Sequence, residues 1–340
     1  MPEPLIALIP THGRPRLLRR TLDSLREAVT PSTVAALWVI ENGSQSGVEQ
    51  AVAEADLPCE VRYLFCPTAG MSAALNFALK HVDSAWLWFL NDDLRVSASA
   101  VEAYASIRRN GDRNTFFGGP MGVDYETPPV SWLVPYLPRS ARGWKWDPAK
   151  ADGSPEAYQP SRDVPPRPLF LGANWAAHSE TVRRAGGFRE QLGPGEGNLA
   201  CGCETDLQLR LYRLGCRSEY LPSAIVYHWV PRSRCTPRWA VRRAYKMGVG
   251  AGMAEVDPSA TLFGYPRWMV RVWLGKACRY VLTRLAPSPE TRFRAAYDFA
   301  LFAGQMEGKR LARKRASGRS PHPAAPTTDN ETPSPSRSAP

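Results

Sequence analysis

Four apolar runs, each closed by a polar cluster, divide the first third of the chain. Leu5 to Ile9 stops at Pro10, and Ala35 to Ile40 stops at Glu41-Asn42-Gly43-Ser44. Val61 to Cys66 leads to Ala69-Gly70-Met71-Ser72, and Ala85 to Leu90 ends at Asn91-Asp92-Asp93. Between the runs, apolar positions recur at helical spacing: Leu17, Leu18, Thr21, Leu22 and Leu25, then Val48 to Ala55, then Ser72 to Val82 with Ser72 as the expected cap, then Ser97 to Arg109. Strand-length runs alternating with helical patterns predict an α/β fold: repeated βα units, right-handed crossovers, and a mostly parallel, Rossmann-like central sheet with helices on both faces. The carboxyl ends of parallel strands lie on one edge, so the polar clusters should converge there.

The fourth run organises the rest. Trp86-Leu87-Trp88-Phe89-Leu90 reads as a fully buried strand that breaks off in two adjacent carboxylates, Asp92 and Asp93. Two acids side by side repel unless a cation joins them. A hard divalent ion suits carboxylate oxygens and also holds a diphosphate. The competing reading is a polar turn or helix cap.

Regular patterning lapses between Gly118 and Pro168, where prolines are dense and Trp132, Trp144 and Trp146 are interleaved. Such a segment is a lid or binding loop, with the tryptophans as anchors or a stacking surface. Order resumes at Leu169 to His178, followed by a short helix and the turn Gly186-Gly187-Phe188. A glycine-rich stretch from Gly193 to Gly197 precedes a helix opened by Glu204 and Asp206, an arrangement that the helix dipole alone would also favour. Tyr220 to Trp229 reads as one strand-like run carrying His228 near its end, and Thr236 to Met247 as a helix with Arg238, Arg242 and Arg243.

Charge changes the picture only at the C-terminal end. The net charge is +11, and residues 266–319 alone hold 13 Lys and Arg against Glu290, Asp298 and Glu307. The remaining chain is nearly neutral, so nucleic acid is not an expected partner of its core. Seven scattered cysteines, with no common zinc spacing among Cys201, Cys203, Cys216 and Cys235, read as reduced thiols. No apolar stretch reaches the roughly 20 residues of a membrane span, and Met1-Pro2-Glu3-Pro4 lacks a signal-peptide pattern, so the expected location is cytoplasmic. There is no G-x-G-x-x-G after the first strand and no G-x-x-x-x-G-K-[ST], which removes the dinucleotide and P-loop readings.

The order of these motifs resembles the family 2 glycosyltransferases of GT-A fold, over about residues 4–250. The resemblance is carried by Pro10-Thr11-His12-Gly13-Arg14, Glu41-Asn42-x-Ser44, Gly70-Met71-Ser72-Ala73-Ala74-Leu75-Asn76, Asn91-x-Asp93, Gly172-Ala173-Asn174, Gly186-Gly187-Phe188, Glu204-Thr205-Asp206-Leu207 and Tyr227-His228. It implies an inverting transferase that uses a nucleotide-sugar, a UDP- or dTDP-sugar by preference, and a divalent metal, Mn or Mg. It also implies roles. Pro10, Thr11, Arg14, Glu41, Asn42, Ser44, Gly70, Met71, Asn76, Asn91 and Asp92 would line the donor site. Asp93 would bind the metal, with His228 as a further metal or phosphate ligand. Asn91 departs from the first acid of the family's D-x-D motif. Glu204 would be the base, with Asp206 the alternative, although two residues along a helix point about 200° apart. Gly172, Asn174, Trp175 and Gly187 would meet a glycan or lipid-linked acceptor.

Inversion at an anomeric carbon needs a base on one face and a stabilised diphosphate leaving from the other. A nucleotidyltransferase competes, but would want a lysine- and glycine-rich phosphate loop near the first strand. A non-catalytic nucleic-acid or membrane-binding protein competes on charge alone. The expected organisation is a transferase domain over 1–250, with a nucleotide half at 1–118 and an acceptor half at 119–250. A helical extension at 251–316 and a disordered tail at 317–340 follow. The extension mixes apolar residues from Trp268 to Leu285 with Arg267, Arg271, Lys276, Arg279 and Arg284, then adds Phe293, Tyr297, Phe299 and Phe302 and the basic run Lys309 to Arg315. It is expected to dock peripherally on an anionic membrane at the inner face, against the alternative that its helices pack on the catalytic domain.

Overall fold

The computed structural model describes residues 3–150, 157–161, 164–194, 202–254, 261–262 and 265–316. The glycine-rich stretch from 195 to 201 and the tail beyond 316 lie outside the described residues.

The four runs are strands. Leu5–Thr11 (β1), Ala36–Asn42 (β2), Glu60–Cys66 (β3) and Trp86–Leu90 (β4) alternate with helices Pro15–Arg26 (α1), Val48–Ala53 (α2) and Met71–His81 (α3). They pair in parallel in the order β4-β1-β2-β3. Every residue of β1, β2 and β4 is buried, as continuous apolar runs in a covered parallel sheet require. Helix α3 starts one residue earlier than its sequence pattern predicts. Its N-cap is Gly70, at φ 131°, and the Ser72 hydroxyl donates to Leu192 O at 2.8 Å instead of capping.

After β4 the chain makes a short strand, Leu94–Val96 (β5), the helix Ala98–Asn110 (α4), and strands Thr115–Gly118 (β6) and Met121–Tyr125 (β7). A 3-10 turn at Ser131–Tyr136 and the one-turn helix Arg139–Arg142 (α5) follow. The tryptophans of this segment are anchors. Trp144 is buried and bridges to Met121, Trp146 packs against the core, and Trp132 sits 5.2 Å, centroid to centroid, from Phe293.

Two-residue strands Ala157–Tyr158 (β8) and Arg167–Pro168 (β9) pair with each other before Asn174–His178 (β10), Ser179–Arg184 (α6) and Cys203–Arg213 (α7). Strand β10 runs antiparallel between β4 and β6, and Phe89 stacks on Trp175 at 4.4 Å. The single run expected from Tyr220 to Trp229 is two strands. Arg217–Tyr220 (β11) joins β6 at the edge of the seven-stranded sheet, whereas Val226–Val230 (β12) leaves for a second sheet between β5 and β7. Pro222 stands in the turn that separates them.

The remaining elements are Pro237–Ala254 (α8), Thr261–Leu262 (β13), Tyr265–Pro266 (β14), Arg267–Thr283 (α9) and Pro289–Ala316 (α10). Helix α8 crosses residue 250, where the transferase domain was expected to end, and packs along α10. Their contact is glycine on backbone. An added methyl at Gly248 or Gly252 would collide with the α10 main chain at Leu301 and Gln305, and one at Gly304 or Gly308 with α8 at Tyr245 and Val249. Removing Cβ atoms at this spacing lets two helices approach to backbone contact. The aromatic side chains of α10 therefore face protein and not lipid. Phe293 and Phe302 are buried, and Phe299 stacks on Tyr280 of α9 at 5.4 Å. Lys309 is buried, while Arg310 is exposed and pairs with Glu307. Helix α9 differs, and keeps Leu274, Val281 and Leu282 exposed, as is Leu285 in the turn just beyond it.

Candidate active site

The carboxyl ends of β1 to β4 converge on a cavity of about 830 Å³ lined by Pro10, Thr11, His12, Arg14, Asn42, Ser44, Gly70, Met71, Asn91 and Pro194, among others. The backbone around it is tied by short polar bonds. Asn42 donates to Thr11 O at 2.7 Å and accepts from Gly70 N at 2.8 Å, while His12 Nδ1 meets Asn42 O at 2.6 Å. Met71 N donates to Pro194 O at 3.0 Å, so the segment before the glycine-rich stretch closes one side. His12 and Pro194 belong to this lining and were not assigned from the sequence. The position of His12 beside Arg14 in the first polar cluster was the available signal; for Pro194 there was none.

Of the three residues ending β4, only Asn91 lines the cavity. Asp92 is wholly buried, accepting from Thr11 Oγ1 and from two nitrogens of Arg14. Asp93 Oδ2 accepts from Arg14 Nη1 at 3.0 Å. Arg14 is thus the cation between the two acids, and its guanidinium is committed to them although the residue lines the cavity. Burial, with the neighbouring Asp93 adding to it, pushes the Asp92 carboxyl up to about 6 against the pull of Arg14. Burial acts on Asp93 too, but His228 and Arg14 outweigh it and hold that carboxyl below its usual range.

Strand β12 brings His228 to this point across the second sheet. Its partner in β5 is Leu94, Trp229 N donates to Asp93 O at 2.8 Å, and His228 Nε2 stands 3.5 Å from Asp93 Oδ1. Asp93 Oδ1 and His228 Nδ1 are both buried without a hydrogen-bond partner. The buried Asp93 Oδ1, left unsatisfied, and His228 Nε2, 3.5 Å away, are a pair of donors that fits a divalent ion. No cluster of three or more His, Cys, Asp or Glu able to hold a metal occurs among the described residues. A metal here would therefore complete its shell with oxygens of a bound diphosphate, as magnesium commonly does.

The second acid pair opens α7. Asp206 is held by Arg210 Nε at 2.9 Å and Nη2 at 2.8 Å, and by Arg189 Nη1 at 3.0 Å. Arg210 reaches on to the carbonyls of Ala185 and Gly187, so Asp206 belongs to the clamp on the Gly186-Gly187-Phe188 turn. Glu204 has no ion pair among the described residues. Its Oε2 accepts from the Cys203 thiol at 3.3 Å, and burial followed by the Glu204 charge pushes that thiol strongly up, keeping it protonated as a donor. An added Cβ at Gly172 would meet the Glu204 carboxyl carbon at 2.9 Å, so Gly172 clears room for that side chain. A Cβ at Gly193 would lie 2.8 Å from Cys203 Sγ and 3.4 Å from Ser72 Oγ. The start of α7 therefore adjoins the start of α3, whose residues Gly70 and Met71 line the cavity.

Several expected site residues have structural work instead. Glu41 is buried, accepting from Ser46 N and Oγ at 2.8 and 2.6 Å and from Tyr63 Oη at 2.7 Å, and is not in the cavity lining. Asn76 holds Phe188 by both amide atoms at 2.8 Å, outside the donor cavity. Gly187 sits against it at φ 65°, where a Cβ would meet Asn76 Oδ1 at 2.7 Å. Asn174 is buried, donating to Pro120 O and Ala224 O and accepting from Tyr104 Oη, and Trp175 is buried between Phe89 and Phe188. Asn174 and Trp175 are both wholly buried in the core, away from the surface at which an acceptor would arrive.

A mostly parallel sheet with a nucleotide-sized cavity at the carboxyl ends of its parallel strands and a cation-bridged acid pair beside it is an arrangement found in the GT-A fold. Residues 6–155 match the family model described as glycosyl transferase family 2. It is similar to the succinoglycan biosynthesis protein ExoM of Rhizobium meliloti (strain 1021), 23% identical over 303 residues that cover 88% of this chain and 90% of that protein. It is also similar in fold to the mannosyltransferase PcManGT from Pyrobaculum calidifontis, solved with GDP-Man and Mn2+, at a TM-score of 0.52 and 17% identity, covering 92% of this chain and 88% of that one.

Proposed function

We propose that this glycosyltransferase moves a sugar, with inversion, from a nucleoside diphosphate donor to a hydroxyl of a glycan or lipid-linked acceptor, using Glu204 as general base. The observation that carries the reading is the contrast at the start of α7: Asp206 is neutralised by two arginines, whereas Glu204 has no ion pair among the described residues, on a helix whose start lies beside that of α3. A carboxylate can take a proton in the transition state only if it is not already bound by a permanent cation.

In this reading the nucleoside diphosphate lies along Thr11, Asn42, Ser44, Gly70 and Met71, with Asn91 towards the ribose or the phosphates. The exposed backbone at the start of α3 contributes N–H groups and the positive end of a helix to the diphosphate. Asp93 and His228 would hold the divalent ion, Mn or Mg, which supplies Lewis-acid stabilisation of the leaving diphosphate. Arg14 holds Asp92 and Asp93 in place. Glu204 accepts the proton of the acceptor hydroxyl as the sugar's anomeric carbon is attacked from the face opposite the diphosphate.

The complex of PcManGT with GDP-Man and Mn2+ supports a nucleotide-sugar and a metal here as coarse features. The identity of the base follows from the family resemblance, which favours UDP or dTDP. A panel of UDP-, dTDP- and GDP-sugars, each tested for thermal stabilisation and hydrolysis with and without manganese, decides between them. Absence of any metal-dependent stabilisation by every donor would refute the reading. ExoM's description as a succinoglycan biosynthesis protein supports a role in polysaccharide assembly. We infer further that the enzyme works at an anionic membrane surface on the cytoplasmic side, reached through α9.

A further inference from the structure

A second cavity, of about 480 Å³, lies between α8, α9 and the start of α10, and shares no lining residue with the donor cavity. Its walls carry Arg238 and Arg242, one turn apart on α8, with Arg284 just past the end of α9 and Arg292 on α10, around Trp132 and Tyr280. None of the four arginines pairs with a carboxylate among the described residues. The nearby acids are engaged elsewhere: Glu290 with Arg294, and Asp298 with Arg279 at 3.8 Å. Several other surface arginines do find a carboxylate, as Arg19 pairs with Glu54, Arg95 with Asp124, Arg113 with Glu3 and Arg217 with Asp112.

Two of the four are held in position without being neutralised. Arg284 donates to Tyr280 Oη at 3.2 Å and lies 5.7 Å from the centre of that ring. Arg292 donates to the carbonyls of Ala286 and Pro287, which end the α9–α10 connection. Four guanidinium groups around one groove repel each other and are strongly hydrated unless an anion is shared among them. The forked donors of arginine match phosphate oxygens in particular.

What adjoins the groove selects the source of that phosphate. Leu285, next to Arg284, is 93% exposed, and Leu282 and Val281 are 75% and 65% exposed. A cationic groove bordered by a bare aliphatic ridge is complementary to a membrane interface, where phosphate and hydrocarbon meet within a few ångströms. A soluble phosphate would explain the arginines and leave the ridge without a role.

We propose that the Arg238–Arg242–Arg284–Arg292 groove binds the phosphate headgroup of an anionic membrane lipid while the ridge at Val281, Leu282 and Leu285 enters the acyl boundary. This rests on the reading of α9 as the membrane-facing element and adds the ligand chemistry and the residues.

Co-sedimentation of the full-length protein with vesicles tests it. Phosphatidylcholine vesicles containing phosphatidylglycerol should pellet the protein at low salt and release it at high salt; phosphatidylcholine alone should not pellet it. Arg238→Gln/Arg242→Gln should lower partitioning roughly thirtyfold, from about 1 kcal/mol per basic residue at an anionic surface. Leu282→Ser/Leu285→Ser should lower it similarly, and Arg109→Gln/Arg213→Gln, an equal loss of charge at exposed sites outside the groove, by less than threefold. Equal loss in that control pair, or wild-type partitioning of the groove variant, overturns the proposal. So does an arginine-dependent rise in Tm with inorganic diphosphate alongside unchanged vesicle binding, which would make the groove a soluble-anion site. Donor hydrolysis, measured on the same proteins, should not differ between them. Its absence from the wild type would count against the transferase reading and leave the vesicle result standing.

Discussion

Two pairs of carboxylates, Asp92 with Asp93 at the end of β4 and Glu204 with Asp206 at the start of α7, look alike along the chain and have opposite fates. In the first pair both acids are buried and one arginine, Arg14, bridges them. In the second the arginines Arg189 and Arg210 take Asp206 and leave Glu204 alone. A carboxylate's role is set by the cations that the fold brings to it: bridged acids make a rigid charged platform, and an unbridged one remains available for proton transfer.

The sharpest way to break this contrast is at Glu204. Glu204→Gln keeps the size and removes the basicity, so kcat should fall about 10³-fold, with donor binding retained in calorimetry. Full activity in this variant and none in Asp206→Asn would reverse the roles assigned to the pair. Asp93→Ala removes the carboxylate next to His228. Metal-dependent donor binding should weaken by about 10- to 100-fold, measured as the manganese dependence of donor affinity, while the protein remains folded.

Asp206→Asn should act on the fold more than on chemistry. Losing the partner of Arg210 loosens the turn at Gly187 and should cost about 1–2 kcal/mol, read as a Tm lower by a few degrees, with kcat changed by less than the Glu204 variant by orders of magnitude. The last effect, read as a pH dependence of stability and not as a loss of activity, is expected at Asp92. Its folded carboxyl, at about 6, lies above the unfolded value of 3.8, so the folded state binds more protons than the unfolded state between them. This contribution to stability is present below the unfolded value and is lost as pH rises through about 6. Asp92→Asn should cancel that dependence, and the Tm of the wild type relative to the variant should fall as pH goes from 4 to 7. Asp93, held low, runs the other way: its contribution is present above the unfolded value and is lost as pH falls through the folded one. A relative Tm of the wild type that rises between pH 4 and 7 would contradict the assignment at Asp92.

Much of the sheet was legible in the residue pattern. A continuous apolar run such as Trp86 to Leu90 fits a central strand covered on both faces, because only there is every side chain buried. Their polar ends had to meet on one edge, which is why Thr11, Asn42, Gly70 and Asn91 were recognisable as cavity residues. The reading failed where a polar side chain serves the backbone. Asn76, Asn174 and Glu41 carry the residue types of a binding site, yet their partners are Phe188, Pro120 and Ser46, remote or irregular positions that no periodicity identifies.

The C-terminal helices show the same division. Their apolar content was evident, but the assignment of faces was not. Gly248-x-x-x-Gly252 and Gly304-x-x-x-Gly308 held the missing signal, since glycine at that spacing lets α8 and α10 close to backbone contact and turns the aromatic side of α10 inward.

Local composition and periodicity determined the strands, most helices and the edge at which they end, because burial of a continuous apolar run depends on neighbours in sequence. Tertiary structure alone decided that His228 stands beside Asp93, that Arg210 reaches the turn before Phe188 while holding Asp206, and that four arginines from α8, from the turn after α9 and from α10 share one groove. Each of these joins residues far apart in the chain or on different elements. Coulombic and hydrogen-bond energies depend on ångström distances between such groups, and those distances exist only once the sheets and helices have packed.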